Sequence, residues 1–119
     1  MTKVLIVDDA AFFRFQLKRL LTDNGFEVVG EAENGKVALE KIQELNPDIV
    51  TLDITMPEMD GIECMAQINK LENKPAVIMV SAMGQDTFVQ KAIMNGAKGF
   101  IVKPYKPEVV INHLNKFRK

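Results

Sequence analysis

The sequence predicts an α/β fold: five β-α repeats forming a doubly wound, five-stranded parallel sheet. Three observations predict it. Short β-branched apolar runs alternate with segments of helical spacing along all 119 residues. The runs are nearly continuously apolar, as strands covered on both faces are. Helix stop signals separate the repeats, and alternation at this spacing calls for crossover connections in a parallel sheet.

The elements follow in order. Residues 3–7, "KVLIV", form the first strand. In 10–23, Phe13, Leu17, Leu20 and Leu21 recur at helical spacing. On that phase Phe13 and Leu17 face the sheet, while Phe12 and Phe15 project away. Asn24-Gly25 ends the pattern. The second strand is 27–33, followed by a helix over 35–45 with Val37, Ala38, Ile42 and Leu45 as its stripe and Asn46-Pro47 as its stop. The third strand is 48–52, and Ile62, Met65, Ile68 and Leu71 mark a helix over 61–72. The fourth strand is 76–81, with Val89, Ala92 and Ile93 on a helix over 85–95 that stops at Asn95-Gly96. The fifth strand is 99–103, and Val110, Leu114 and Phe117 define a last helix over 107–118.

Length fits one domain, 1–119, with its own core. Fifteen basic and sixteen acidic residues leave a net charge of -1, which argues against nucleic-acid or membrane binding by bulk charge. No apolar run reaches the roughly 18 residues of a membrane span. Strand residues start almost at once, so no signal peptide is expected. The single cysteine, Cys64, can form no internal disulfide, which fits a reducing cytoplasm. Cys64 sits in a helical pattern far from the only histidine, His113, so it reads as structural.

The chemistry lies at the strand ends. In open α/β sheets, ligands bind outside the carboxyl ends of the strands, where strand order switches. The first strand ends in Asp8 and Asp9, the third in Asp53, the fourth in Ser81 and the fifth in Lys103. Each has a plain local explanation: Asp9 and Ser81 as helix caps, Asp53 as a loop opener, Lys103 as a solvated charge. Together on one rim they ask for more. Three close carboxylates stay ionised together only with a cation among them. Hard oxygen ligands suit Mg²⁺. No P-loop, GxGxxG or nucleophile elbow occurs. Acids, one lysine and one hydroxyl suit a phosphoryl group, with Asp53 able to act as nucleophile.

The chain resembles the receiver domains of two-component response regulators. The resemblance covers its whole length and rests on "VDD" at 7–9, "DITMPEMDG" at 53–61, "SAMG" at 81–84 and "KP" at 103–104. It implies a flavodoxin-like sheet of order 2-1-3-4-5, which would bring the first and third strands together. It implies that Asp53 takes phosphate from a histidine kinase, the domain catalysing its own phosphorylation and dephosphorylation rather than acting as an enzyme on a substrate. Asp8 and Asp9 would hold Mg²⁺ with Asp53, helped by the backbone carbonyl of Thr55. Ser81 and Lys103 would bind the phosphoryl group, and Phe100 stands at the switch-aromatic position. Lys103-Pro104 is often cis in the family.

"DDAAFFR" and "SAMGQ" are similar to chemotaxis members of that family. The expected partner is the flagellar motor switch. A relay receiver that passes phosphate to a histidine phosphotransfer protein is the second reading. The receiver of a DNA-binding regulator, cut from its output domain, is the third. Phe12 and Phe15 are candidates for kinase docking, and Val89, Phe100, Tyr105 and Lys116 for the output surface. A cytoplasmic monomer is expected.

Overall fold

Apolar strands and one-sided helices leave the chain one economical solution, a sheet between two helical layers. The computed structural model describes residues 1–119. The elements are β1 (Lys3–Val7), α1 (Ala11–Asp23), β2 (Glu27–Ala32), α2 (Gly35–Leu45), β3 (Ile49–Leu52), α3 (Gly61–Ile68), β4 (Ala76–Ser81), α4 (Asp86–Met94), β5 (Gly99–Val102) and α5 (Pro107–Asn115). All five strands are parallel, in the order β2-β1-β3-β4-β5. The expected order and connectivity are therefore present.

Strand alternation divides the core between the two faces. Leu5, Val7, Val50, Leu52 and Met79 pack with Ala38, Ile42, Cys64, Met65, Ile68 and Ala92 of α2, α3 and α4. Val4, Ile6, Ile49, Ile78, Val80 and Ile101 pack with Leu17, Leu21, Val110 and Leu114 of α1 and α5. Each fully buried Val, Leu or Ile contributes about 1.5–3 kcal/mol of transfer free energy. Register then aims the polar rim. Val7 lies opposite Leu52, so the next residues, Asp8 and Asp53, leave the sheet side by side. Ser81 lies opposite Val102, one residue before Lys103.

Local chemistry sets the helix ends. Asn34 accepts the Val37 N–H at 2.9 Å and Asp60 accepts the Glu63 N–H at 2.8 Å, each satisfying a free first-turn donor. Asn46 takes the left-handed conformation after α2, and Gly25 and Gly96 have positive φ at the other two expected stops.

Three expectations need correction. The third helix ends at Ile68, because tight bonds from Lys70 N–H to the Gln67 carbonyl and from Leu71 N–H to the Ile68 carbonyl close it. Leu71 packs from the loop that follows. On α4 the half-buried Phe88 joins the core, while Ile93 is 48% exposed. Phe13 stays beside the sheet as expected, lining a small cavity with Ile6, Thr51 and Val80, but it is 37% exposed at the rim rather than buried in the core.

Candidate functional site

β1 continues one residue beyond its last pleat. The Asp8 N–H donates to the Ala32 carbonyl at 3.0 Å, which buries Asp8 and leaves Asp9 exposed. The Ala10 N–H donates to Asp8 Oδ1 at 2.9 Å. α1 has no side-chain cap, so Asp9 does not cap it. Arg14 donates to the Asp8 carbonyl at 2.6 Å and to Glu31 Oε1 at 3.1 Å, tying the start of α1 to β2. The Asp53 N–H donates to the Val7 carbonyl at 3.0 Å, and the Ile54 N–H donates to Asp53 Oδ1 at 2.7 Å.

Gly61 explains the "DG" of the loop. Its N–H donates to the Ile54 carbonyl at 2.7 Å, and a Cβ there would lie 2.0 Å from the Asp53 carbonyl oxygen. Only glycine lets the N-terminus of α3 approach this closely.

The Asp8, Asp9 and Asp53 carboxylates bring oxygens within 4.8 Å of one another. Lys103 reaches this cluster from β5. Its Nζ lies 2.6 Å from Asp8 Oδ2 and 3.2 Å from Asp53 Oδ2, with little exposure of any of the three side chains. Lys103 is thus an ion-paired group rather than a solvated charge, and the Lys103-Pro104 peptide bond that follows it is cis. The Phe13 ring covers the ammonium at 4.1 Å.

Burial disfavours the charged forms of both partners. For Lys103 the hydrogen bond and charge of Asp8, with the charge of Asp53, outweigh burial and raise its pKa. For Asp8 burial prevails over the Lys103 and Ala10 hydrogen bonds, and its pKa is raised.

Ser81 is fully buried, and its Oγ accepts the Met83 N–H at 3.1 Å rather than capping α4. Phe100 is half-buried against the same core face as Met83 and Phe88. Val89 is half-buried on α4 and Tyr105 half-buried over the opposite core face. Thr55 lies in the exposed loop just past Asp53. Phe12 and Phe15 are 66% and 59% exposed.

Asp8, Asp9, Asp53 and Lys103 therefore meet on one rim. Lys116, a candidate for the output surface, lies away from that rim. It follows α5, whereas Tyr105 precedes it, and it lines a polar cleft of about 790 Å³ with Asp48, Ala76 and Lys98 at the far end of the sheet. That cleft contains none of the acidic cluster.

Three residues of the rim escaped the sequence reading. Arg14 carried no signal, because its partners are a carbonyl and a residue on another strand. Phe13 matches a core stripe, which does not reveal that its ring also covers the Lys103 ammonium. Thr51, one residue before the end of β3, reads as one more β-branched strand residue.

The fold and this rim define a response regulator receiver domain of two-component signalling. The profile of that domain matches residues 4–115, and the chain belongs to the family. The chain is 56% identical over 117 residues to the chemotaxis protein CheY of Thermotoga maritima, covering 98% of each. It is 54% identical over 114 residues to CheY of Bacillus subtilis, covering 96% of this chain and 95% of that one. Among solved structures, a chain of the CheX-CheY-BeF3-Mg²⁺ complex from Borrelia burgdorferi matches with a TM-score of 0.92 and 42% identity, over 99% of this chain and 90% of that one. No helix is long and apolar enough to cross a membrane.

Proposed function

We propose that this chain is a phosphorylation-activated switch of a chemotaxis pathway, with Asp53 as the phosphoryl acceptor. One observation carries the reading: Lys103 Nζ bridges Asp8 and Asp53 while Asp9 completes a carboxylate cluster within 4.8 Å. The donor set fits Mg²⁺, since it offers hard carboxylate oxygens on a partly exposed rim with room for waters. Asp8, Asp9 and Asp53 would hold the ion with the Thr55 carbonyl. Bound there, Mg²⁺ supplies positive charge beside the transferred oxygens.

The chain's own groups then divide the work. A carboxylate oxygen of Asp53 attacks phosphorus in line with the leaving nitrogen of a kinase phosphohistidine. The O–P bond forms as the N–P bond breaks, and the imidazole leaves with that electron pair. Lys103 offsets charge on the phosphoryl oxygens, and Ser81 Oγ donates to one of them once its hydroxyl turns toward the rim. Positioning and charge screening are the main protein contributions to such transfers.

The flagellar motor switch is the favoured partner, because the relatives at 54–56% identity, matched over nearly their full length, are chemotaxis proteins. Cytoplasmic location follows from that pathway. The test is transfer from a phosphorylated chemotaxis-type histidine kinase. Label should leave the kinase and appear on the wild-type chain, and Asp53→Asn should leave it on the kinase. Transfer to that variant would overturn the assignment.

A further inference from the structure

Thr51 raises a question that the proposed phosphoryl chemistry does not answer. Its side chain ends in a hydroxyl, it is 1% exposed, and Oγ1 has no protein hydrogen-bond partner. It is the only such buried side-chain atom in the molecule. Buried hydroxyls without partners are rare and costly. Val would fill nearly the same volume without that cost, so packing alone does not account for a threonine.

Its surroundings supply an answer. Thr51 lines a cavity of about 10 Å³ together with Asp8, Phe13, Leu17, Lys103 and Tyr105. That is room for one water-sized sphere, the lower limit for a buried water, which also needs two or more polar partners. A second partner is at hand. A lysine ammonium has three N–H donors. Lys103 Nζ directs one to Asp8 and one to Asp53, which leaves a third without an oxygen acceptor, on the side where the Phe13 ring and the cavity meet the ammonium. Strand parity agrees, because Thr51 lies on the α1/α5 face of β3, between the core residues Ile49 and the rim.

We infer that one buried water joins Thr51 Oγ1 to Lys103 Nζ, making Thr51 a positioning residue for the lysine of the site. The water accepts the third ammonium N–H and donates to, or accepts from, the threonine hydroxyl. Thr51 is thereby satisfied, and Lys103 is held on its inner side as well as by the two carboxylates. The function of this contact rests on the proposed phosphoryl transfer at Asp53; the water itself does not.

The experiment compares wild type, Thr51→Val and Thr51→Ser. Atomic-resolution crystal structures should show a single ordered water within hydrogen-bond distance of Oγ1 and Lys103 Nζ in wild type and Thr51→Ser, and none in Thr51→Val. With acetyl phosphate and Mg²⁺, Thr51→Val should lower the maximal labelling rate about three- to tenfold, the worth of one hydrogen bond. Thr51→Ser should restore it. The rates are taken well below each variant's melting temperature, so a purely structural role would leave them equal. A wild-type site without the water, or a water bonded to Thr51 and not to Lys103, overturns the inference. So do equal rates for wild type and Thr51→Val. If wild type itself accepts no phosphate, the reading of Asp53 has failed, and the crystal structures alone decide the water.

Discussion

Lys103 and Asp8 stand 95 residues apart in the sequence and meet at 2.6 Å, with both side chains almost wholly buried. Removing one member of such a pair leaves the other as an uncompensated buried charge, at a cost of about 3–5 kcal/mol. Lys103→Met should therefore destabilise the metal-free protein strongly, because Asp8 and Asp53 lose their shared cation. Urea unfolding in EDTA measures it. Stability equal to wild type would mean that the pair is broken in solution.

Asp9 behaves differently. It is exposed and has neither an ion pair nor a side-chain hydrogen bond, yet it sits in the cluster with Asp8 and Asp53. Asp9→Ala should raise metal-free stability by relieving repulsion, whereas Asp8→Ala should lower it. Mg²⁺ should stabilise wild type by about 1.4 kcal/mol at tenfold over its Kd, and Asp9→Ala should lose most of that gain. Thermal melts with EDTA and with millimolar Mg²⁺ would show both effects. Identical wild-type midpoints in the two buffers would sink the metal site.

How much of this was legible beforehand follows from periodicity. The strands, the helix stops and the five rim residues are local signals, because strand ends and Asn-Gly stops are written in adjacent residues. The end of α3 was not, since Leu71 keeps helical phase while the backbone tightens at Lys70. Nor was the contact that Phe13 makes at the rim. The apolar stripe puts its ring beside the sheet, but only the arrival of Lys103 from β5 puts an ammonium against it. Tyr105 and Lys116 stand at opposite ends of α5, so an output surface using both must run the length of that helix.

Cys64 offers a pH test. Burial, aided by the charges of Asp60 and Glu63, pushes its thiol up to about 12. The folded state thus holds the neutral thiol, while the unfolded chain ionises it from about pH 8.5 upward. Stability from this group is full below that value and lost as pH rises toward 12, by up to about 1.4 kcal/mol per pH unit. Lys103, with its pKa raised, keeps its contribution until pH exceeds the unfolded lysine value near ~10.4. Between pH 9 and 10, Cys64→Ala should therefore show a shallower loss of stability than wild type. Native Cys64 should also resist alkylation at neutral pH, and rapid labelling without unfolding would contradict its burial.

Gly61 fixes the backbone of the loop that follows Asp53. Gly61→Ala places a methyl 2.0 Å from the Asp53 carbonyl oxygen, a contact with backbone that cannot simply rotate away. A loss of about 3 kcal/mol or more is expected, with impaired phosphorylation of whatever remains folded. Denaturation midpoints and labelling of the folded fraction test this. A variant with wild-type stability would show that the α3 terminus has slack.

Phe15 is the proposed kinase contact, being exposed one helical turn from the rim with Phe12. Phe15→Ala should slow phosphotransfer from a kinase while leaving acetyl phosphate labelling unchanged. Equal loss with both donors would point to misfolding instead.

The central claim is that Asp53 receives the phosphoryl group, and intact-protein mass after acetyl phosphate treatment tests it most directly. Wild type with Mg²⁺ should gain a single base-labile phosphoryl group, wild type with EDTA none, and Asp53→Asn none under either condition. Full, Mg²⁺-dependent labelling of Asp53→Asn would contradict the account and move the acceptor to Asp8 or Ser81.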